Sequence, residues 1–292
     1  MANHVRHARG GHQTHEIVAR GRVDWVWPVL LVWCIGGCSA PGPVVSFSTI
    51  ANAPPAAIET GERIAADPEA FLRQVRTRCE SLAAYQVDFY KQERLGLFVK
   101  KLQPEEHMRV KFRAQPFSVK MTMLNEDHEF AETLYVEGEN DSKLRCRRRK
   151  GLLGGRPPIQ DFPPDFAVAF GRSINPITDF GVARLMQRVL QTLEEARAAG
   201  AGPEVVYRGI AELKYDALPV HHVSLQYPQN APIPSLKVDL LFHVDPLLPA
   251  ASYVRPGGER LQGRYIYMRF DLHPEFGDGA FELSEDGEAG TR

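Results

Sequence analysis

Chemistry in this chain would start at Cys38. Its thiol follows Gly36 and Gly37 at the end of an apolar run, Trp25 to Ile35, and two small residues before a cysteine let an extended backbone enter a processing enzyme. Elsewhere the reactive side chains are present but not grouped. A zinc site needs His, Cys or carboxylates at chelating spacing. His4, His7, His12 and His15 precede the apolar run, and His221 and His222 are neighbours in an expected strand, where adjacent residues face opposite sides. No His-Glu-x-x-His, Gly-x-Ser-x-Gly or Walker loop occurs. Gly151-Leu152-Leu153-Gly154-Gly155-Arg156 has the glycines of a phosphate loop without its Lys-Ser/Thr pair. Catalytic residues, a metal and a cofactor are therefore not expected. The densest charge is Lys143-Leu144-Arg145-Cys146-Arg147-Arg148-Arg149-Lys150, with six cations in eight positions. It reads either as a site for anionic lipid headgroups, at about 1 kcal/mol per residue, or as a solvated strand end and loop.

The apolar run is eleven residues long, whereas a helix crossing a bilayer needs about 20. With Arg6, Arg9, Arg20 and Arg22 before it and small residues after it, the run fits the core of an export signal. The stretch before Trp25 is long for such a signal and contains Asp24. Ile35-Gly36-Gly37-Cys38 resembles the bacterial lipobox, whose cysteine is acylated on sulfur and becomes the new N-terminus. That resemblance implies a signal peptide over 1–37, lipidation at Cys38, and anchoring of the exported protein to a membrane, facing the periplasm. Ser39 stands where Asp would retain a lipoprotein at the inner membrane, which favours the outer one. The competing reading is an ordinary cleaved signal with Cys38 incidental. Cys34 would be discarded, leaving Cys79 and Cys146 either as a disulfide in an oxidising compartment or as two buried thiols.

Thirty-five basic and thirty-six acidic residues give a net charge of -1, so no global field recruits nucleic acid. Residues 38–66 are rich in Pro, Ala and Ser and are expected to be a disordered tether. At Asp67-Pro68 a helix begins, with Phe71, Leu72, Val75, Cys79 and Leu82 at helical spacing. A longer helix is expected from Asp179 to Ala199, with Gly200 just past its end. The rest alternates. Met108, Val110 and Phe112 oppose Arg109, Lys111 and Arg113; Phe117, Val119, Met121 and Met123 oppose Ser118, Lys120 and Thr122. Val238, Leu240, Phe242 and Val244 share one face of a later strand, and Ile266, Met268, Phe270 and Leu272 one face of another. Such alternation predicts antiparallel strands wet on one face. The expected folded domain is 67–282, followed by a disordered tail over 283–292.

Tyr85-Gln86-Val87-Asp88-Phe89-Tyr90-Lys91-Gln92-Glu93-Arg94, the stretch Val110 to Met121, Leu134-Tyr135-Val136-Glu137-Gly138-Glu139-Asn140, Phe242 to Pro249 and Tyr265 to Leu272 together resemble an uncharacterised bacterial family of secreted lipoproteins. That family is distantly similar to the LolA-like lipoprotein carriers and RseB-like sensors. The resemblance implies an α+β fold, mainly antiparallel β: a curved, incomplete barrel covered by one long and one shorter helix. It also implies a non-enzymatic envelope protein whose concave face accepts a lipid or an acylated protein. On the residues read by alternation, that face is Met108, Val110, Phe112, Val119, Met121, Met123, Val238, Leu240, Phe242, Ile266, Met268 and Phe270. Two readings stay open: an apolar cavity for a lipid, or a sheet filled by its own side chains in a structural or sensory module that binds protein.

Overall fold

Pro68 lacks an N–H and pushes the residue before it out of the helical region, so one helix must end and another begin at Asp67. In the computed structural model, which describes residues 53–96, 99–149, 158–213 and 215–284, that is what happens. Helix α1 spans Pro55–Ala66 and α2 spans Pro68–Glu80. Asp67 between them is extended (φ -151°), and its carboxylate accepts the Ala70 N–H at 2.8 Å as an N-cap.

Helix α1 corrects the expectation of a tether reaching residue 66. Its buried stripe is Ala57, Gly61 and Ile64, a helical spacing in residues too small to register as a hydrophobic face. The expected signal, Cys38, the tether up to residue 52 and the tail from 285 lie outside the described residues.

Twelve strands follow: β1 (Ala84–Leu95), β2 (Lys101–Leu102), β3 (Glu106–Arg113), β4 (Ser118–Met123), β5 (Phe130–Val136), β6 (Leu144–Arg148), β7 (Ile159–Phe162), β8 (Glu204–Leu213), β9 (Leu218–Gln226), β10 (Lys237–His243), β11 (Pro249–Arg255) and β12 (Gly263–Asp271). Between β7 and β8 stand a single-turn helix α3 (Phe166–Ala169) and the long helix α4 (Val182–Ala198). All pairings are antiparallel, in the order β7-β6-β5-β4-β3-β1-β12-β11-β10-β9-β8, with β2 paired to β1. The sheet is open, with β7 and β8 at its edges, so the barrel is incomplete as the resemblance implied.

Helices α2 and α4 pack on each other and on one face of this sheet. The start of α4 depends on one glycine. Gly181 has φ +117°, and a Cβ there would sit 3.2 Å from both the Phe112 ring and the Tyr85 hydroxyl. That close approach lets the Tyr85 hydroxyl oxygen accept the otherwise orphaned Val182 N–H at 3.3 Å. Past the other end, Gly200 has φ +69° and bonds back to the Arg197 carbonyl.

Candidate functional site

The inner face is a floor of aromatic and aliphatic side chains. Register places Tyr85, Val87 and Phe89 of β1 opposite Phe112, Val110 and Met108 of β3, which continue to Val119, Met121 and Met123 of β4. On the other side Phe89 meets Tyr267 of β12, and Val238, Leu240 and Phe242 of β10 complete the surface. Ten of the twelve residues expected on this face are there. Met108, Val110, Phe112, Val119, Met123, Val238, Leu240 and Phe242 are buried, and Met121 and Phe270 pack against them half-buried.

The other two, Ile266 and Met268, lie on the opposite face, packed with Val220, Leu241 and Ala251. The cause is a β-bulge. Between β1 pairs Gln86↔Asp271 and Asp88↔Met268, β12 carries one extra residue, and Arg269 takes φ +53°. The extra residue shifts the two-residue period, so Phe270 continues the face of Tyr265 and Tyr267 rather than that of Ile266 and Met268.

Helical side chains occupy the concavity. Phe71 of α2 meets Phe242 edge-on at 5.0 Å, and Leu72, Val75, Leu185, Met186, Leu190 and Leu193 are buried in the same cluster. Phe180, just before α4, sits against Phe89 at 5.2 Å. The segment leading to it is tied down by Glu93, a buried carboxylate that accepts the Ile174 N–H at 3.1 Å and the Tyr265 hydroxyl at 2.7 Å. Two pockets of the described residues lie elsewhere. One of about 310 Å³ is bounded by Ile58, Gly61 and Ala65 of α1 and by Tyr207, Gly209 and Ile210 of β8. The other, of about 460 Å³, lies between Leu134, Val136, Lys143, Arg145 and Ile159 on the outer face and Phe281 to Leu283. None of the twelve candidate residues lines either.

Chemistry-bearing groups are held apart or in internal pairs. His221 and His222 do face opposite sides. His221 meets the Tyr207 hydroxyl at 2.9 Å on the inner side, where burial pulls its pKa down to about 4. His222 bonds Asp239 at 2.9 Å on the outer side, and Arg255 is bound to the other oxygen of the same carboxylate. Among the described residues no group of three or more His, Cys, Asp or Glu could hold a metal. No helix of the described residues is long and apolar enough to cross a membrane. Cys79 and Cys146 are not bridged. Both are free and buried, Cys79 among the helices and Cys146 beside Phe130 and Leu144, and burial pushes each thiol up to about 12. Thiols so held stay protonated and behave as small hydrophobes.

The cation run is likewise engaged. Lys143 pairs with Asp141, Arg145 with Asp161, Arg147 with Glu132 and Arg148 with Glu129, while Arg149 donates to the carbonyls of Met123 and Asn125. Lys150 and the glycine loop after it lie outside the described residues. Sequence reasoning did not find the Tyr207–His221 pair or the Asp239 cluster, because both join residues across strands whose register the sequence does not print.

A family model described as a protein of unknown function, DUF1571, matches residues 82–283. The chain belongs to that family. No curated protein matches it. Solved structures similar to this DUF1571 chain include MucB, at 12% identity and TM-score 0.45 over 76% of this chain and 64% of MucB. The lipoprotein LppX of Mycobacterium tuberculosis is 11% identical, with TM-score 0.40 over 73% of this chain and all 100% of its own. A LolA superfamily protein from Nitrosomonas europaea is 9% identical, with TM-score 0.30 over 73% and 96%. All three scores are below 0.5, and the fold described above stands on this chain's own strand order.

Proposed function

We propose that this DUF1571 chain is an exported, non-enzymatic envelope protein, anchored through acyl chains on Cys38, that works as a protein-interaction module. Its curved sheet is filled by its own helices rather than by a ligand. The observation that carries this reading is the inner face itself. Phe71, Leu72, Met186 and Leu190 are buried in one cluster with Val110, Leu240 and Phe242, Phe71 edge-on to Phe242 at 5.0 Å, on the face where an acyl chain would have to sit. Admitting a lipid would require separating α2 and α4 from the sheet, which exposes apolar surface at about 25 cal/mol per Å². Anchoring is supported by Ile35-Gly36-Gly37-Cys38 after a short apolar run, and outer-membrane sorting by Ser39.

Mass spectrometry of the full chain extracted in its native state tests the reading in one measurement. The expected result is an acylated N-terminal Cys38 and a co-extracted protein, with no stoichiometric apolar ligand. A lipid retained at one per chain, beyond the covalent acyl groups, would restore lipid carriage and sink the module. Cys38→Ala should move the protein from the membrane fraction to the soluble one.

A further inference from the structure

After β12 the chain does not stop. Residues His273 to Ser284 run back across the outer face of β3, β4 and β5 as a strap. Phe276 lies over the Lys111 ammonium at 5.8 Å and Phe281 over the Arg113 guanidinium at 4.5 Å. Ser284 donates its N–H and its hydroxyl to the Glu132 carboxylate at 2.8 and 2.7 Å.

The strap is held lightly. It adds no strand to the sheet, and its backbone-to-backbone hydrogen bonds are local turns, Phe276 to Pro274, Ala280 to Gly277 and Glu282 to Gly279. Phe276 and Phe281 remain half-exposed, and Gly277, Asp278 and Gly279 are exposed. An aromatic face on a partly hydrated cation contributes about 0.5–1 kcal/mol.

What lies beneath is poorly matched to its cover. Neighbouring cations on this face find carboxylates: Arg109 meets Asp88, while Lys120 and Arg147 meet Glu132. Lys111 and Arg113 form no ion pair among the described residues. Lys111 stands directly across from Lys120 in the β3–β4 register, and like charges so placed repel. Desolvation, and after it the Lys120 charge, draw the Lys111 pKa down, against a smaller upward pull from the Glu132 carboxylate. The Nε of Arg113 is buried with no hydrogen-bond partner, although its terminal nitrogen reaches the Ser118 hydroxyl at 3.1 Å. The strap's own Glu275, Asp278 and Glu282 are exposed and form no ion pair among the described residues.

We propose that the outer face of β3 to β5 is a docking surface for an acidic peptide segment of a partner protein, which displaces the strap and sets carboxylates on Lys111 and Arg113. This names the partner surface of the interaction module and rests on that reading. The strap demonstrates that the face accepts a turn carrying two aromatic residues, Phe276 and Phe281, which meet edge-on at 5.2 Å above the two cations. A segment that supplies carboxylates as well gains charge-assisted hydrogen bonds that ring faces cannot give. The strap's Phe281 to Leu283 also close one side of the adjoining cleft of about 460 Å³, so displacing the strap uncovers Leu134, Val136 and Ile159 for an apolar side chain of the segment.

The experiment uses the full chain in detergent micelles and a fluorescein-labelled synthetic peptide, Glu-Phe-Glu-Glu-Glu-Glu-Phe-Glu, which keeps the strap's spacing between its two Phe. Anisotropy should report binding that weakens with salt. It should tighten about fivefold when Phe276→Ala and Phe281→Ala loosen the strap. Lys111→Gln with Arg113→Gln should weaken it about tenfold. Lys111→Gln alone serves if the double variant does not fold. The same peptide with Lys for Glu should not bind. Equal binding of the Lys peptide, indifference to the Lys111 and Arg113 changes, or no binding to the loosened variant would overturn the site. Self-association of the loosened variant without peptide, read by light scattering, would assign the face to a second copy and overturn it too. If the peptide fails while a protein is still co-extracted from the envelope, the site falls and the module stands. A chain that yields only lipid sinks the module whatever the peptide does.

Discussion

The two halves of this sheet share an inner face and treat their outer faces in opposite ways. From β3 to β6 the outer face carries Arg109, Lys111, Arg113, Lys120, Arg145 and Arg147. From β8 to β12 the same face buries Leu213, Val220, Leu241, Ala251, Ile266 and Met268. The second half is covered because the β8–β9 hairpin curls back. A bulge at Gly209 (φ +99°) bends β8, the Tyr215 ring lies 4.7 Å from that of Tyr90 of β1 at a tilt of 34°, and Asp216 accepts from Arg269 at 3.1 Å. Polar alternation therefore holds on the half that meets water or carries only the strap, beneath which Glu132 and Arg147 are buried as a pair. Where the β8–β9 hairpin covers the sheet, both faces turn apolar, and any charge left behind must find a partner there. Asp239 is that charge, enclosed between His222 and Arg255 at 1% exposure.

The largest expected effect follows from that enclosure. Asp239→Ala leaves Arg255 buried without its counter-charge, which costs about 3–5 kcal/mol. Asp161→Ala, which frees Arg145 on the open half where both side chains are more than a third exposed, should cost under about 1 kcal/mol. Urea denaturation of the two variants measures the contrast, and equal losses would erase it. The pH profile sharpens the test. Burial pushes the Asp239 carboxyl up, but hydrogen bonds from His222 and Arg255 and the Arg255 charge outweigh it and hold the pKa at about 2. A carboxyl held below its ordinary value of about 3.9 adds stability above that value, and loses it as pH falls toward about 2. Wild type should lose stability across that window more steeply than Asp239→Ala.

Sequence reasoning located the long helix to within three residues at its start and one at its end, because Val182, Leu185, Met186, Leu190 and Leu193 repeat at helical spacing and Gly200 follows. It read the inner face of β3 and β4 correctly because apolar and charged or polar residues alternate there, and that of β10 from the two-residue spacing of Val238, Leu240 and Phe242, although Leu241 makes its outer face apolar as well. Three features were not legible. Helix α1 packs through Ala57, Gly61 and Ile64, and a Cβ on Gly61 would fall 2.6 Å from the Tyr207 hydroxyl, so the contact depends on what Gly61 lacks. The bulge at Arg269 leaves the alternation of Ile266, Met268 and Phe270 intact on paper while turning Phe270 to the other side. The strap is built from Phe276, Phe281 and Ser284 in a stretch of Gly and acidic residues that has no period at all.

That bulge sets the next test. Asp88 of β1 lies between Met268 of β12 and Arg109 of β3 in one cross-strand row, so the row passes from the covered half to the open half within three residues. Met268 is 1% exposed, and Met268→Ala should cost about 2–3 kcal/mol for lost contact and residual cavity. Arg109→Ala, one strand beyond Asp88, should cost under about 1 kcal/mol, because the Arg109 side chain is 40% exposed and Arg269 still faces the carboxylate at 3.3 Å. Similar losses at the two positions would mean that the open half is covered as well.

The smallest effect is expected at the densest charge. Lys143 and Arg145 pair with Asp141 and Asp161 across exposed side chains, and pairs of that kind contribute about 0–1 kcal/mol. Lys143→Gln with Arg145→Gln should therefore leave the denaturation midpoint within about 1 kcal/mol of wild type. The membrane reading of this run makes a different demand. Free cations near an anionic surface are worth about 1 kcal/mol each, so a polybasic site would hold the protein on such vesicles even without an acyl chain. Here the four carboxylates Asp141, Asp161, Glu129 and Glu132 already neutralise four of the cations within the fold. Cys38→Ala protein should accordingly fail to float with phosphatidylserine vesicles at physiological salt, with or without the two Gln substitutions. Flotation that the Gln pair abolishes would show that these ion pairs open at a membrane surface, and the open half of the sheet would then face lipid rather than protein.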